Sequence, residues 1–284
     1  MIALKTSQKI KLASVLYHVV RAGRAVLGMG DEATVTRRGV TYHLDLSEGI
    51  DFAIWLNASF EREMIQSIQQ YVPEGSTVLD IGANIGAITL ELAKQVGANG
   101  RVLAFEPTDF AFQKLQRNVQ LNPSLRDQIV LHQAFLGDRA DRQDNPSGIY
   151  SSWPLVSGSE DLHQKHLGRE MPLSGASSLV LDSVLSEAGV TSVTAVKLDV
   201  DGFECAVLRG ATELLDNSRP VFFIELAPYV HAERGYSFDE YIEHFTKRGY
   251  SLVDQRTGKE LPANPSAISS SIGDGSSINA IAMP

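Results

Sequence analysis

The sequence predicts an α/β fold: a doubly wound, mostly parallel seven-stranded sheet of the Rossmann-like type, with an N-terminal helical and β extension. Two observations support this prediction. From about residue 77 onwards, apolar runs that suit strands buried on both faces alternate with segments of helical periodicity. The first of these runs ends in a glycine-containing turn that leads directly into a helix, as in sheets that bind a ligand at their strand ends.

The composition suits one large domain with an extension. The chain has 284 residues, of which 43% are hydrophobic, and a net charge of −9, which argues against a general nucleic-acid binder. Its single cysteine, Cys205, excludes an intramolecular disulfide and favours a reducing compartment, so we expect a cytoplasmic protein. We predict an extension at residues 1–60 and the main domain at residues 61–284.

Residues 1–30 predict a helix with apolar side chains on one face and basic residues around it. Five basic residues and no acidic residue precede Asp31, so the rest of the chain carries −14 against −9 for the whole. Such a helix packs on the body or on a second copy, or lies on an acidic membrane surface. Its apolar run is too short to span a bilayer, and we expect neither a transmembrane segment nor a signal peptide. Residues 34–56 predict short strands, and residues 60–71 a helix.

Seven strands are predicted in the main domain: residues 77–81, 101–106, 128–135, 193–199, 220–225, 250–253 and 278–282. Thr108 and Ser237 are placed to cap the helices that follow them, and Gly249 ends the second of these helices. Two segments interrupt the order. Residues 139–178 predict a long inserted loop on the acceptor side, and residues 257–277 predict a second loop rich in serine and glycine.

The turn after the first strand reads Asp80-Ile-Gly-Ala-Asn-Ile-Gly86. We expect Gly82 and Gly86 to let the backbone approach the methionine and ribose parts of S-adenosylmethionine, with Asn84 supporting the turn. Glu106 ends the second strand, where its carboxylate can accept two ribose hydroxyls. The dinucleotide pattern has a glycine where this chain has asparagine, which makes room for a pyrophosphate that S-adenosylmethionine lacks. A pyridine-dinucleotide site remains the alternative.

Further residues at strand ends are expected to complete the pocket. Pro107 follows the ribose carboxylate, Ala134 and Phe135 would border the adenine, and Asp138 would reach the adenine amino group. Asp199 ends the fourth strand, where the transferable methyl group should lie.

Three residues are candidates for catalysis. Asp199 is our first choice for orienting the amino group of the donor or the acceptor, and Glu225 ends the neighbouring strand. His231 is a candidate base because the ordinary pKa of imidazole lies near neutrality. Asp199 with Glu225 would alternatively hold Mg²⁺ through oxygen ligands. His163 and His166 have a spacing that suits a metal, but the sequence shows no third ligand, so no metal site is assigned.

Together these motifs resemble the FkbM-type family of S-adenosylmethionine-dependent methyltransferases. The resemblance runs from about Leu44 to the C-terminus. Six segments carry it: residues 59–61, 80–86, 105–107, 181–182, 197–202 and 279–282. Two positions depart from the family pattern, since Asp201 stands where the family commonly has Glu, and Ala58 where it has Gly.

The resemblance implies a class I methyltransferase fold and O-methylation of a sugar or natural-product hydroxyl. It also implies cofactor contacts from the following residues: Asp80, Gly82, Asn84, Gly86 and Glu106. We therefore expect a small-molecule or saccharide acceptor and no nucleic-acid partner, with a homo-oligomer left open. The alternatives are a dinucleotide-dependent oxidoreductase and a non-catalytic cofactor-binding module that contacts a partner or a membrane surface through residues 1–30.

Overall fold

The computed structural model of the protein describes residues 6–56, 61–140, 146–156 and 161–284. The predictions for Ala58, Ser59 and Phe60 therefore lie outside the described residues. The N-terminal elements are α1 (Thr6–Val26), β1 (Glu32–Arg37), β2 (Val40–Asp45) and α2 (Gly49–Leu56).

The N-terminal helix and the first two strands agree with the sequence prediction, but α2 does not. Residues 34–56 predict strands throughout, whereas the last eight residues of that range are helical. A short apolar run does not distinguish a strand from a buried helix by periodicity. Tertiary packing favours the helix here, because Phe52 contacts Tyr17 of α1 edge-on and stacks on Trp55.

The rest of the chain contains eight further helices and eleven further strands within the described residues. The strands are β3 (Thr77–Ile81), β4 (Arg101–Phe105), β5 (Ile129–His132), β6 (Ala134–Leu136), β7 (Gly148–Ser152), β8 (Arg169–Pro172), β9 (Ser177–Leu179), β10 (Ala195–Leu198), β11 (Val221–Leu226), β12 (Ser251–Asp254) and β13 (Ile278–Met283). The helices are α3 (Arg62–Tyr71), α4 (Ala87–Val96), α5 (Asp109–Gln120), α6 (Leu181–Glu187), α7 (Glu204–Arg209), α8 (Pro228–Glu233), α9 (Phe238–Thr246) and α10 (Pro265–Ser271).

Seven strands form the central sheet in the order β12-β13-β11-β10-β3-β4-β5. The five strands from β11 to β5 are parallel, and β13 and β12 are antiparallel to their neighbours. This topology confirms the predicted doubly wound, mostly parallel sheet. The strand order reverses between β3 and β10, so their carboxyl ends border the crevice in which such sheets bind ligands.

The third predicted strand is shorter in the sheet than expected. Residues 128–135 divide into β5, which joins the sheet, and β6, which leaves it and pairs in parallel with β9. The predicted loop at residues 139–178 is likewise not irregular throughout, because β7 and β8 form an antiparallel hairpin within it. These pairings are non-local, so no short sequence window shows them.

Two helices also differ from their predictions. The apolar residues after the fourth strand predict one helix, but α7 ends at Arg209 and a separate π-helical turn occupies Leu214–Ser218. The predicted loop at residues 257–277 contains α10, where Asn264 accepts hydrogen bonds from two backbone amides at the helix start. No helix among the residues described is long and apolar enough to cross a membrane.

Both predicted helix caps are present. The hydroxyl of Thr108 accepts a hydrogen bond from the amide of Ala111, and that of Ser237 accepts one from the amide of Glu240. In a capping box the glutamate side chain would also accept a hydrogen bond from the amide of Ser237, and this second contact is not made at α9. The carboxylate of Glu240 instead accepts two hydrogen bonds of 2.7 Å from Arg209.

Replacing Ser237 with Ala should lower the free energy of unfolding by about 1 kcal/mol, because one backbone amide at the start of α9 loses its acceptor. Urea unfolding at neutral pH measures this difference. Ser186→Ala in the exposed face of α6 is the matched control, with an expected change within about 0.5 kcal/mol. Equal effects of the two substitutions would contradict the assigned cap.

Candidate active site

The glycines of the turn after β3 allow close packing within the protein itself. Gly82 has φ +82, and a Cβ there would collide with the backbone carbonyl of Asp199 at the end of β10. Gly86 has φ +88, and a Cβ there would lie 2.7 Å from a methyl group of Leu115 on α5. The turn is therefore held against β10 on one side and against α5 on the other.

Asn84 links this turn to two other segments. It has φ 49, a left-handed conformation that asparagine tolerates better than most residues. Its amide donates to Oε2 of Glu106 at 2.9 Å, and its side-chain nitrogen donates to the carbonyl of Ser151 at 3.3 Å. Its side-chain oxygen accepts from the amide of Ile85. The asparagine that breaks the dinucleotide pattern thus has its own structural role.

Glu106 is buried and already accepts three hydrogen bonds. Besides the amide of Asn84, the amide and hydroxyl of Thr108 donate to Oε1 at 2.9 and 2.6 Å. A carboxylate has about four acceptor positions, so one remains on Oε2 for a ligand hydroxyl. Burial raises the pKa of Glu106, and the hydrogen bonds from Thr108 and Asn84 oppose that rise. Two ribose hydroxyls at once would require Thr108 to release Oε1.

Lys197 is a buried cation between two strand ends. Its side chain is 6% exposed and lies opposite Asp80, which is 0% exposed, in the register of β10 with β3. Its Nζ donates to the carbonyl of Gly82 at 2.6 Å and lies 3.8 Å from Oδ1 of Asp80 and 3.5 Å from Oδ2 of Asp199. Thr89 donates to the other oxygen of Asp80 at 2.6 Å, which leaves Oδ1 without a hydrogen bond.

The charge of Lys197 is maintained by these neighbours. Burial opposes its ionisation, but the carboxylates of Asp199 and Asp80 outweigh burial and raise the pKa of Lys197. Lys197 was not among the residues predicted to form the site. The pattern Lys-x-Asp at a buried strand end was the signal for this ion pair.

Further carboxyl groups lie around Asp199. Burial raises the pKa of Glu61 to about 7, against the opposing charge of Lys197. Burial, followed by the neighbouring Asp199, raises the pKa of Glu225 to about 8 and that of Asp201 well above its usual range. A single buried ammonium does not balance all of these carboxyl groups, and their mutual repulsion adds to the effect of burial on their pKa values.

His231 does not fit the base predicted from the sequence. Its side chain is 1% exposed, with Nε2 at 3.3 Å from Oε2 of Glu204 and its ring centroid at 4.6 Å from that of Tyr241. Burial lowers the pKa of His231 to about 4. The imidazole is neutral and enclosed, so the position of His231 after β11 in the sequence was misleading.

An apolar slot opens beside Glu106 at the carboxyl ends of β3 and β4. Four of its nine lining residues were predicted to contact the cofactor, and the other five, among them Ile149 of the inserted hairpin, were not. The lining residues are Ile81, Gly82, Phe105, Pro107, Ala134, Phe135, Leu136, Ile149 and Val200. Asp138 is not among them. It is exposed, with its carboxylate 4.0 Å from Arg209.

The inserted segment is docked on α8 and its C-terminal end. Arg234 donates to Glu170 at 3.0 Å, and Nε2 of His163 lies 3.1 Å from Glu233. His163 and His166 stack at 4.0 Å, which assigns both rings to packing. Across the described ranges, no group of three or more His, Cys, Asp or Glu side chains is arranged to hold a metal ion.

A model of the methyltransferase FkbM domain matches residues 80–252, which is more than half of the chain. The chain belongs to the FkbM methyltransferase family. The matched residues lie within the range over which the sequence motifs resemble this family, and they include the turn, Glu106 and the Lys197 strand. The predicted family is confirmed, and a dinucleotide-dependent oxidoreductase is not favoured.

This member of the FkbM methyltransferase family is similar to two curated relatives. The first is Methyltransferase 1 of Beauveria bassiana, 27% identical over 51% of this chain and 64% of the relative. The second is the 2-O-methyltransferase NoeI of Sinorhizobium fredii, 28% identical over 57% of this chain and 66% of the relative. The chain thus spans just under two thirds of the length of either relative. Among solved structures it is similar to methyltransferase FkbM from Methylobacillus flagellatus KT, with 17% identity, a TM-score of 0.43, and coverage of 73% of this chain and 43% of that one.

Lys197→Met should lower the free energy of unfolding by about 3–5 kcal/mol, because it leaves Asp80 buried without a countercharge. The double variant Asp80→Asn with Lys197→Met should lose less of the free energy of unfolding, since neither charge of the pair then remains alone. Urea unfolding measures both. Lys247→Met, which breaks an exposed pair with Glu243, is the control and should change stability by less than about 1 kcal/mol. If Lys197→Met matched this control, Lys197 would not be compensating a buried charge.

Glu204 should make stability depend on pH. Burial raises the pKa of Glu204 from 4.5 to about 7, so the resulting stabilisation is complete below the unfolded value and is lost as pH rises through about 7. Between about pH 4 and 8, the unfolding free energy of the wild type should fall by about 3 kcal/mol relative to Glu204→Gln. Urea unfolding across this range tests it, with the exposed Glu187→Gln as control. Parallel curves for the wild type and Glu204→Gln would rule out the raised pKa.

Proposed function

We propose that this chain transfers a methyl group from S-adenosylmethionine to a hydroxyl of a saccharide or secondary metabolite. The observation that carries the proposal is the apolar slot beside the Glu106 carboxylate, in a chain of the FkbM methyltransferase family. The name of the similar 2-O-methyltransferase NoeI supports a hydroxyl as the acceptor.

The residues around the slot fit the parts of the donor. Phe105 and Phe135 line it together with Pro107 and Ala134, an apolar lining that suits an adenine, and Glu106 has one free acceptor position for a ribose hydroxyl. Asp138 stays a candidate for contacting the adenine amino group. It does not line the slot, and its carboxylate lies 4.0 Å from Arg209.

The polar end of the site suits the amino-acid part of the donor. The Asp80 oxygen that lacks a hydrogen bond and the partly exposed carboxylate of Asp199 flank Lys197. In the proposed complex, Asp199 accepts hydrogen bonds from the donor ammonium and orients it, while Gly82 and Gly86 keep the turn close beneath. S-adenosylmethionine supplies a methyl group activated by its sulfonium, so the chain mainly holds the acceptor in line.

We assign removal of the acceptor proton to Glu225 instead of His231. A general base works best when its pKa lies near the working pH, and burial with Asp199 raises the pKa of Glu225 to about 8. The hydroxyl of Ser277 donates to Oε1 of Glu225 and fixes its orientation. His231 is enclosed and has a pKa lowered to about 4, so its assigned role is to pack against Tyr241 and Glu204.

Donor binding can be tested without knowing the acceptor. Isothermal titration with S-adenosylmethionine and S-adenosylhomocysteine should show binding to the wild type. Glu106→Gln should weaken it by about 10–100-fold, because a charged hydrogen-bond acceptor is lost. Glu187→Gln, on an exposed helix position, should bind as the wild type does. Absence of binding of either ligand to the wild type at sub-millimolar concentration would refute the proposed donor.

The acceptor class and the base are tested with methyl-labelled donor and a panel of saccharides, hydroxylated aromatics and peptides. We expect label in an alkali-stable ether of a hydroxylated compound, with kcat/KM for the donor rising as pH increases through about 8. Glu225→Gln should lower kcat by about 100-fold or more and change the donor Kd far less. Label on nitrogen or sulfur alone would refute O-methylation. An unchanged kcat in Glu225→Gln would refute the assigned base.

A further inference from the structure

The helix α1 has one face packed on the protein and one face that nothing covers in the described part of the chain. On the inner face, Tyr17 is completely buried and the hydroxyl of Ser14 donates to the carbonyl of Leu155 at 2.7 Å. On the opposite side, Val15 is 64% exposed and Val19 is 69% exposed. The inner contacts fix the helix to the body, so the exposed side chains project outward together.

The exposed apolar side chains of α1 form one stripe. With 3.6 residues per turn, their spacing places them within about a third of the helix circumference. We call this stripe the outer face, and it consists of Leu12, Val15, Leu16, Val19 and Val26. Leu27 and Met29 extend it beyond the helix, and of the large apolar side chains exposed in the described residues, only Leu56 and Leu121 lie elsewhere.

Two lysines flank the outer face. Lys9 and Lys11 are exposed and lie on either side of the stripe, whereas Arg21 lies on the opposite side of the helix and pairs with Asp31 at 3.9 Å. No acidic residue precedes Asp31. An apolar stripe flanked by lysines matches the interfacial region of an anionic bilayer, where acyl chains adjoin negatively charged headgroups.

We propose that the outer face of α1 binds the surface of an anionic phospholipid membrane, with its apolar side chains at the acyl boundary and Lys9 and Lys11 at the headgroups. The helix lies along the membrane plane, because its inner face stays packed on the protein through Tyr17. This contact concerns where the enzyme is held and does not depend on the identity of its donor or acceptor.

A second copy of the chain is a poorer occupant for this face. A two-fold symmetric contact brings the same patch of each copy together. Every charged residue of α1 is basic, so such a contact would bring lysines and arginines of the two helices close without an acidic partner from either helix. An anionic bilayer supplies the opposite charge beside Lys9 and Lys11.

The test is co-sedimentation with phosphatidylcholine vesicles that contain or lack phosphatidylglycerol. The wild type should partition strongly to the anionic vesicles and weakly to the neutral ones. The double variant Val15→Glu with Val19→Glu should lose about tenfold or more in partition coefficient. Replacing Lys9 and Lys11 with Gln should lower the partition coefficient about fivefold per lysine, and only on anionic vesicles.

The matched control is Gln113→Glu with Gln116→Glu on the exposed face of α5, which adds the same charge as the valine variant. It should lower binding far less than the valine variant does. The four substituted positions are exposed, so the melting temperatures should stay those of the wild type. Absence of wild-type binding to anionic vesicles would overturn the proposal. So would a valine variant that dissociates a dimer in sedimentation velocity but binds vesicles as the wild type does.

Discussion

The ion pair between Lys197 and the carboxylates of Asp80 and Asp199 is the interaction on which the rest of the site depends. It joins β3 to β10 at the point where the strand order reverses. The same ammonium donates to the carbonyl of Gly82, so it also holds the turn after β3. Because both Asp80 and Lys197 are nearly inaccessible to water, neither can lose its partner without leaving a buried charge.

This arrangement limits what the neighbouring segments can do. The turn passes so close to Asp199 that only glycine fits at position 82, and the left-handed Asn84 then directs its amide to Glu106. Asn84 also donates to Ser151, so the inserted hairpin is tied to the turn and its Ile149 lines the apolar slot. The inserted segment therefore helps to form the donor side of the proposed site, although its position in the sequence suggested the acceptor side.

The sheet was predictable from the sequence because its strands are apolar runs separated by capped helices, and Thr108 and Ser237 mark helix starts locally. The structure of the inserted segment was not predictable from the sequence, since the pairing of β6 with β9 joins segments about forty residues apart and depends on tertiary contacts. The acidic residues of the site were predicted because the carboxyl ends of parallel strands meet at one edge of the sheet. The burial of His231 was not predicted, because a residue just beyond a strand end can face the crevice or the core. Its packing against Tyr241 places it in the core.

The excess of carboxyl groups over cations has a consequence for the proposed chemistry. Glu225 and Asp201 hold protons more tightly than isolated carboxyls do, because burial disfavours their charged forms and ionisation would also add negative charge beside Asp199. Under the proposed function, a bound donor brings positive charge to the same rim, which favours the ionised form of Glu225. The base would then lose its proton most readily when the methyl donor is in place. His231 would gain no such coupling, because burial lowers its pKa to about 4 and a bound donor finds no proton there to displace at neutral pH.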